Sequence, residues 1–176
     1  MKKNKTNRES DIQQKFQLGL TNAGIIRGQK YLVGVSGGVD SVVLTNLLKL
    51  SGIPFGIAHL NHGLRSSAKR DQEFVRKLAA AENVPLFMDA VDVPQFQKKL
   101  ALSLEEAARV ARYQFLMATA HENQFAGVIV GHHADDQAET VLMHLLRGTG
   151  IAGLSGMQYR EMNPTFSTEI PVLRPM

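Results

Sequence analysis

Residues 30–41 read KYLVGVSGGVDS, and this stretch decides the fold class. A short run of β-prone residues ends in two glycines, and an almost wholly apolar segment, VDSVVLTNLLKLSG, follows at 39–52. Such a segment is typical of a helix that lies buried against a sheet. Strand, glycine turn and buried helix together indicate the opening unit of an α/β domain.

The same alternation of strand and helix continues along the chain. Further strands are predicted in PFGIAHL (54–60), PLFMDAVDV (85–93) and FAGVIVGHH (125–133), and helices over 9–26, 66–84, 103–124 and 134–148. The third of these helices begins with a capping box, Ser103 and Glu106. Strands that alternate with helices pair in parallel through crossovers, so the sheet is covered on both faces. The sequence therefore predicts an α/β fold with a three-layer α/β/α arrangement and a twisted, Rossmann-like parallel sheet.

Length and composition indicate an ordinary globular domain. The chain has 176 residues, of which 44% are hydrophobic and 20% charged, and this is too apolar for a disordered tail. The absence of cysteine excludes disulfide scaffolds, cysteine-ligated zinc and thiolate catalysis. The basic N-terminus is not followed by an apolar stretch, and no run approaches the ~18 apolar residues of a membrane span. We therefore expect a soluble, cytoplasmic protein with no membrane partner.

Charge is distributed unevenly between the two halves of the chain. Residues 1–88 hold 13 Lys and Arg against 6 Asp and Glu, whereas residues 89–176 hold 7 against 10. A basic half is compatible with a nucleic-acid partner but does not require one.

Three polar segments follow predicted strands and belong at one edge of the sheet. They are SGGVDS (36–41), HLNHGLR (59–65) and GHHADDQAET (131–140). In an open parallel sheet the ligand site lies outside the carboxyl ends of the strands. We therefore expect these three segments to form the functional site.

The SGGVDS segment, residues 36–41, has the features of a phosphate site. Gly37 and Gly38 allow a tight turn and close approach to a ligand, and the amide groups at the start of the next helix favour an anion. The hydroxyls of Ser36 and Ser41 add hydrogen-bonding capacity. The spacing fits neither a Walker A loop nor GxGxxG. The structural alternative is a Gly-Gly turn with Asp40 as the helix cap.

SGGxDS directly after the first strand resembles the signature of the PP-loop (N-type) ATP pyrophosphatases, whose fold is called adenine nucleotide alpha hydrolase-like. Three further motifs narrow the resemblance to the tRNA(Ile)-lysidine synthetase branch: HLNHGLR, SLEEAARVARY (103–113) and GHHADDQAETVLMHLLRGTGIAGLSGM (131–157). The resemblance covers about residues 30 to 176. It divides the chain into an N-terminal helical segment, 1–29, and a PP-loop domain, 30–176, truncated before the family's C-terminal tRNA-binding region.

The resemblance implies an ATP-dependent ligase. In that family ATP adenylates the C2 carbonyl oxygen of the wobble cytidine of tRNA(Ile), pyrophosphate leaves, and the amine of free L-lysine then displaces AMP. The cofactors implied are ATP and Mg²⁺, the partners are tRNA(Ile) and L-lysine, and a homodimer is compatible with the pattern. The residues implied to bind ATP are Ser36, Gly37, Gly38, Asp40, Ser41, His59 and His132, with Asp40 also implied as a Mg²⁺ ligand.

Three residues are implied to act in catalysis: Asp136, Glu139 and Arg112. Asp136 and Glu139 share one face of a predicted helix, where two carboxylates could orient a lysine ammonium or hold Mg²⁺. Acidic residues in a first helical turn can also simply complement the helix dipole. Arg112 is implied to reach ATP or the adenylated intermediate, whereas an exposed pair with Glu105 accounts structurally for Arg109.

Several residues of the polar segments keep open interpretations. His59 and His62 are compatible with ligand contact or with loop structure. His132 is favoured over His133 as a residue that lines the site. Arg65 and the basic residues of 69–77 are compatible with tRNA phosphate contacts or with a solvated helix face.

Two other functional classes remain as alternatives. One is another adenylating enzyme of the same fold, an amide synthetase or a tRNA thiolase, although sulfur transfer requires thiolates that this chain lacks. The other is a regulatory module that binds ATP without catalysis. Such a module requires the phosphate loop but neither the acidic pair nor the arginine helix.

Overall fold

In the computed structural model, which describes residues 3–63, 68–131 and 158–176, strands and helices alternate as the sequence predicts. The described elements are α1 (Lys3–Asn22), β1 (Tyr31–Gly34), α2 (Val39–Leu50), β2 (Phe55–Asn61), α3 (Ala68–Glu82), β3 (Leu86–Ala90), α4 (Val93–Leu100), α5 (Leu104–Glu122), β4 (Val128–Val130), β5 (Arg160–Glu161) and β6 (Val172–Leu173). None of these helices combines the length and the apolar character that a bilayer crossing requires.

The strands form one sheet in the order β3-β2-β1-β4-β6-β5, in which only the short β5 runs antiparallel to its neighbour. Strand β1 lies between β2 and β4 and pairs in parallel with both. The strand order therefore reverses at β1, since β2 and β3 lie on one side and β4 on the other. Such a switch point opens a crevice at the carboxyl ends of the strands.

Both faces of the sheet are covered, because the side chains of β1 alternate between two cores. Tyr31 and Val33 belong to a core that includes residues of α1, α2 and α3, whereas Leu32 packs with residues of α5. The α/β, three-layer prediction is thus confirmed. Helix α1 contributes Phe16 and Leu20 to the first of these cores.

Helix α4 is a correction to the predicted third strand, which was extended to residue 93. The strand ends at Ala90, and Val93 begins a helix whose N-cap, Asp92, accepts a hydrogen bond from the amide of Gln95 at 3.0 Å. Pro94 follows in the first turn, where it loses no helical hydrogen bond. An Asp followed closely by Pro is a helix-start signal that outweighs the β propensity of two valines.

The predicted burial of helix faces is right in part. The segment at 39–52 is not buried on all sides, because Val39 is 76% exposed. Ile12 and Phe74, whose helical spacing with neighbouring apolar residues predicts that they face the core, are about half exposed, at 51% and 44%. The first helix also ends at Asn22, earlier than the predicted residue 26.

Candidate active site

A cavity of about 250 Å³ lies at the carboxyl ends of β1, β2 and β4, where the sequence places the site. The residues that line it come from these strand ends, from the start of α2 and from the middle of α5. They are Gly34, Val35, Ser36, Asp40, Ser41, Ala58, Leu60, His62, Arg112, Phe115, Leu116, Val130 and Gly131. Four of the predicted site residues (Ser36, Asp40, Ser41 and Arg112) are thus brought together in one cavity.

The SGGVDS loop, residues 36–41, contributes Ser36, Asp40 and Ser41 to the cavity lining and contains backbone amides that have no hydrogen-bond partner among the described residues. Gly37 has φ +90°, a backbone conformation that residues other than glycine rarely adopt. Gly38 is the N-cap of α2 and supplies no side-chain cap, and the first helical hydrogen bond runs from the amide of Val42 to its carbonyl. Within the described residues, the amides of Gly37, Val39 and Ser41 make no hydrogen bond. The alternative with Asp40 as helix cap is therefore wrong, because the N-cap position lies two residues earlier, at Gly38, and no side chain caps it.

Two serine hydroxyls fix the Gly38 peptide from both sides. The amide of Gly38 donates to Ser36 Oγ at 3.3 Å, and Ser41 Oγ donates to the carbonyl of Gly38 at 2.8 Å. Ser41 is buried, whereas Ser36 is exposed. The loop is thus held in shape by its own side chains while its amide groups remain open, which is the arrangement that binds an anion.

Arg112, which is half-buried, brings a positive charge to the same cavity. Its Nε is buried without a hydrogen-bond partner, and no described carboxylate forms an ion pair with its guanidinium. The guanidinium carbon lies 5.6 Å from the centre of the Tyr113 ring. Burial lowers the pKa of Arg112, the Tyr113 side chain acts in the opposite sense, and the neighbouring Arg109 charge lowers it further. A half-buried cation that forms no ion pair with the described residues can bind an anionic ligand.

The structural explanation offered for Arg109 is wrong. Among the described residues, Glu105 and Arg109 form no ion pair. Arg109 instead places its guanidinium 5.3 Å from the centre of the Tyr113 ring. Two guanidinium groups therefore share one aromatic ring, and Arg112 is the one that lines the cavity.

The apolar half of the cavity escaped the sequence analysis. Ala58, Leu60, Phe115, Leu116 and Val130 form this wall, and helical or strand periodicity had assigned such residues to the core. Phe115 and Leu116 lie about one turn after Arg112 on α5, so one helix supplies both a charge and an apolar surface. That spacing is the signal from which a flat, uncharged ligand group beside an anionic one could have been predicted.

The two histidines of the second segment occupy different positions. His62 lines the cavity, whereas His59 does not appear among its described lining residues. His59 is 5% exposed, and its Nδ1 lies 2.8 Å from the carbonyl oxygen of Val35. Because a carbonyl only accepts, Nδ1 carries the hydrogen. This geometry favours the loop-structure interpretation of His59, and its direct contact with a nucleotide stays a prediction.

Asp136, Glu139 and His132 lie outside the described residues, as do His133 and Arg65. Their predicted roles therefore stay predictions. Within the described residues, no group of three or more His, Asp or Glu side chains is arranged to hold a metal ion.

Fold and site together define a parallel α/β domain with an open, anion-binding loop at its switch point. The chain belongs to the PP-loop family, because the PP-loop domain matches it over residues 8–176. Curated relatives are similar over most of this chain. A tRNA(Ile)-lysidine synthase of Dehalococcoides mccartyi is 47% identical over 145 residues, which are 80% of this chain and 30% of that protein. A tRNA(Ile)-lysidine synthase of Pseudothermotoga lettingae is 40% identical over 144 residues, 79% of this chain and 32% of that protein.

A third relative, the bifunctional protein TilS/HprT of Listeria innocua, is 41% identical over 133 residues, 73% of this chain and 20% of that protein. The chain thus spans about a fifth to a third of the length of these relatives. Among solved structures, the U34-tRNA thiolase NcsA of Methanococcus maripaludis has a TM-score of 0.73 at 18% identity, covering 95% of this chain and 59% of that one. The NH3-dependent NAD synthetase of Campylobacter jejuni has a TM-score of 0.55 at 19% identity, covering 78% of this chain and 58% of that one. These structures share the fold.

Proposed function

We propose that this chain is the ATP-binding catalytic domain of a tRNA(Ile)-lysidine synthase. The observation that carries the proposal is the SGGVDS loop, which lies at a cavity that Arg112 also lines. Among the described residues, its amides at Gly37, Val39 and Ser41 and the Nε of Arg112 have no hydrogen-bond partner. The similarity to lysidine synthases at 40–47% identity supports the choice of reaction. The proposed substrates are tRNA(Ile) and free L-lysine. The proposed location of the protein is the cytoplasm.

We place ATP in the cavity with its phosphates at the SGGVDS loop. The loop amides donate hydrogen bonds to the β- and γ-phosphates, because backbone N–H groups and the N-terminus of α2 favour negative charge. The apolar wall formed by Leu60, Phe115 and Leu116 suits the flat face of a nucleobase. Arg112 is then placed to pair with phosphate oxygens between these two ends.

Mg²⁺ is part of the proposal through Asp40, which lines the cavity in the first turn of α2. Mg²⁺ is commonly held by one or two carboxylates together with substrate phosphates, so a single cavity carboxylate fits this donor set. When bound, the ion would supply charge neutralisation for the phosphates. Asp40 would orient it against the oxygens that the loop amides contact.

The chemistry proceeds in two displacements. The C2 carbonyl oxygen of cytidine attacks the α-phosphorus, the bond to the bridging oxygen breaks, and pyrophosphate leaves with its electron pair. The lysine amine, in its neutral form, then attacks C2. AMP departs with the former carbonyl oxygen and the electron pair of the broken bond, and the nitrogen releases a proton to solvent. The open amides stabilise the charge that develops on the leaving pyrophosphate, and Arg112 can stabilise charge beside the apolar wall. Asp136 and Glu139 are proposed to orient the lysine ammonium, and His132 to line the nucleotide site.

The thiolase alternative shares this fold but not its sulfur chemistry. The similar thiolase structure carries a [4Fe-4S] cluster, whereas these 176 residues contain no cysteine to ligate one. The amide synthetase and the non-catalytic module are distinguished from the proposed enzyme by substrate dependence, because only the proposed enzyme uses tRNA(Ile) and lysine. The boundary between residues 1–29 and 30–176 and the homodimer stay part of the proposal.

Pyrophosphate release tests the proposed function. Release from ATP should require tRNA(Ile), and its multiple turnover should also require lysine, because lysine consumes the adenylated intermediate. Ser41→Ala should reduce the release, because this hydroxyl holds the Gly38 carbonyl. Ser103→Ala is the matched control, since Ser103 caps α5 and is not among the described residues that line the cavity. Calorimetry with ATP alone separates binding from catalysis. Multiple-turnover release in the absence of lysine, or ATP binding that Ser41→Ala leaves unchanged, would contradict the proposal.

A further inference from the structure

Just after β1, the carbonyl group of Val35 is bonded by a side chain rather than by the neighbouring strand. The amide of Val35 donates to the carbonyl of Ala58 at 2.9 Å, which is the last backbone rung between this end of β1 and β2. The carbonyl of Val35 accepts from His59 Nδ1 at 2.8 Å instead. His59 is 95% buried, so this hydrogen bond is shielded from water. Val35 directly precedes the SGGVDS loop.

The bond from His59 replaces a rung that the sheet would otherwise make. In parallel pairing the Ala58 carbonyl accepts from Val35, so the next rung would run from the amide of Leu60 to the carbonyl of Val35. In the described structure that rung is absent, and His59 occupies its acceptor. The pairing of β1 with β2 therefore ends one rung early.

The missing rung leaves a strand edge open to the cavity. On β2, Ile57 donates to β3, and Asn61 accepts from the chain just after β3, whereas the carbonyl of Ala58 faces β1. Leu60 lies two residues after Ala58 on the same strand, so its amide and carbonyl groups also point toward the β1 side. On that side Leu60 lines the cavity. No described backbone group bonds to either of them there. A donor and an acceptor on one residue match the hydrogen-bonding edge of a nucleobase.

We propose that His59 is a positioning residue for the nucleotide site. It binds the Val35 carbonyl, so the chain leaves the sheet at the SGGVDS loop and the Leu60 edge stays free for the nucleobase. This inference rests on the proposed function, which places the base against the Leu60 wall. An apolar residue at position 59 would release the Val35 carbonyl, and the Leu60 amide would then bond to it and close the edge.

Two substitutions separate positioning from packing. His59→Leu fills the space without a donor, whereas His59→Asn places an amide N–H near the position of Nδ1. We expect His59→Leu to weaken ATP binding by about tenfold, the equivalent of one hydrogen bond, and to weaken pyrophosphate binding less. His59→Asn should restore ATP binding to within about threefold of wild type.

The outcomes are distinguishable by calorimetry with ATP and with pyrophosphate. Wild-type affinity for ATP in His59→Leu, or equal losses in the Leu and Asn variants, would overturn the role of His59 and leave the proposed function standing. A wild-type protein that binds neither ligand would overturn the proposed function itself.

Amide hydrogen exchange in the wild-type protein provides a test that needs no variant. The Leu60 amide should exchange much faster than the amides of His59 and Asn61, and ATP should slow it. A Leu60 amide as protected as its two neighbours in the free protein would overturn the inference, even if His59→Leu fails to fold.

Discussion

Replacement of Arg112 by methionine should stabilise the ligand-free protein while it weakens ATP binding. Arg112 carries a buried Nε without a hydrogen-bond partner. An unsatisfied buried polar group costs about 1–3 kcal/mol, and apolar replacement of buried charges is often stabilising. Loss of the contact with the Tyr113 ring removes about 0.5–1 kcal/mol. The free energy of unfolding should therefore rise by about 1 kcal/mol, while affinity for ATP falls tenfold or more.

Urea unfolding and calorimetry measure the two effects. Arg109→Met is the control, because Arg109 touches the same ring but is exposed and does not line the cavity among the described residues. It should leave ATP affinity near wild type and give no gain in stability. A ligand-free Arg112→Met protein less stable than wild type, or one with unchanged ATP affinity, would refute the reasoning.

The gain from Arg112→Met should not depend on pH near neutrality. Burial lowers the pKa of Arg112, so the folded state holds this proton less tightly than the unfolded chain does. Both states are protonated at neutral pH, so the penalty is fully present there. It is relieved only as the pH rises through the lowered pKa. The stability difference should therefore be constant between about pH 6 and 8.

Three further substitutions test local packing and the loop. Gly19→Ala should destabilise the fold by about 1–3 kcal/mol in urea unfolding, because its Cβ would clash with the carbonyl oxygen of Pro175. Ser103→Ala should lower the free energy of unfolding by about 1 kcal/mol, since it removes the capping box with Glu106. Ser41→Ala should reduce ATP affinity by about tenfold in calorimetry, because the Gly38 carbonyl loses its hydroxyl donor.

Each of these substitutions has its own control. Leu18→Ala on the same helix as Gly19 is expected to be nearly neutral, because Leu18 is 61% exposed. Equal stability of Gly19→Ala and Leu18→Ala would show that α1 does not need its close approach to Pro175. An unchanged unfolding curve for Ser103→Ala would show that the capping box does not stabilise the protein. Wild-type ATP affinity in Ser41→Ala would argue against the serine-held loop.

The sheet and the position of the site were predictable because both depend on local pattern. Strand, glycine turn and helix are adjacent in sequence, so Ser36, Asp40 and Ser41 are placed by the topology alone. Arg112 required the resemblance, since helical periodicity describes it only as polar. The burial of its Nε without a hydrogen-bond partner among the described residues is a property of the assembled cavity.

Other features depend on tertiary context that local pattern does not carry. Periodicity assigns Phe115 and Leu116 to an apolar face but does not distinguish a core from a cavity wall. The side-chain bond of His59 to Val35 joins residues 24 positions apart, and no spacing rule indicates it. The helix at Val93 had a local signal, but the β propensity of the preceding strand concealed it.

A crystal structure with ATP and Mg²⁺ bound tests the account most directly. The account predicts oxygens of the β- and γ-phosphates within about 2.7–3.2 Å of the backbone nitrogens of Gly37, Val39 and Ser41. Phosphates bound elsewhere, with these three amides bonded to neighbouring protein atoms, would contradict it.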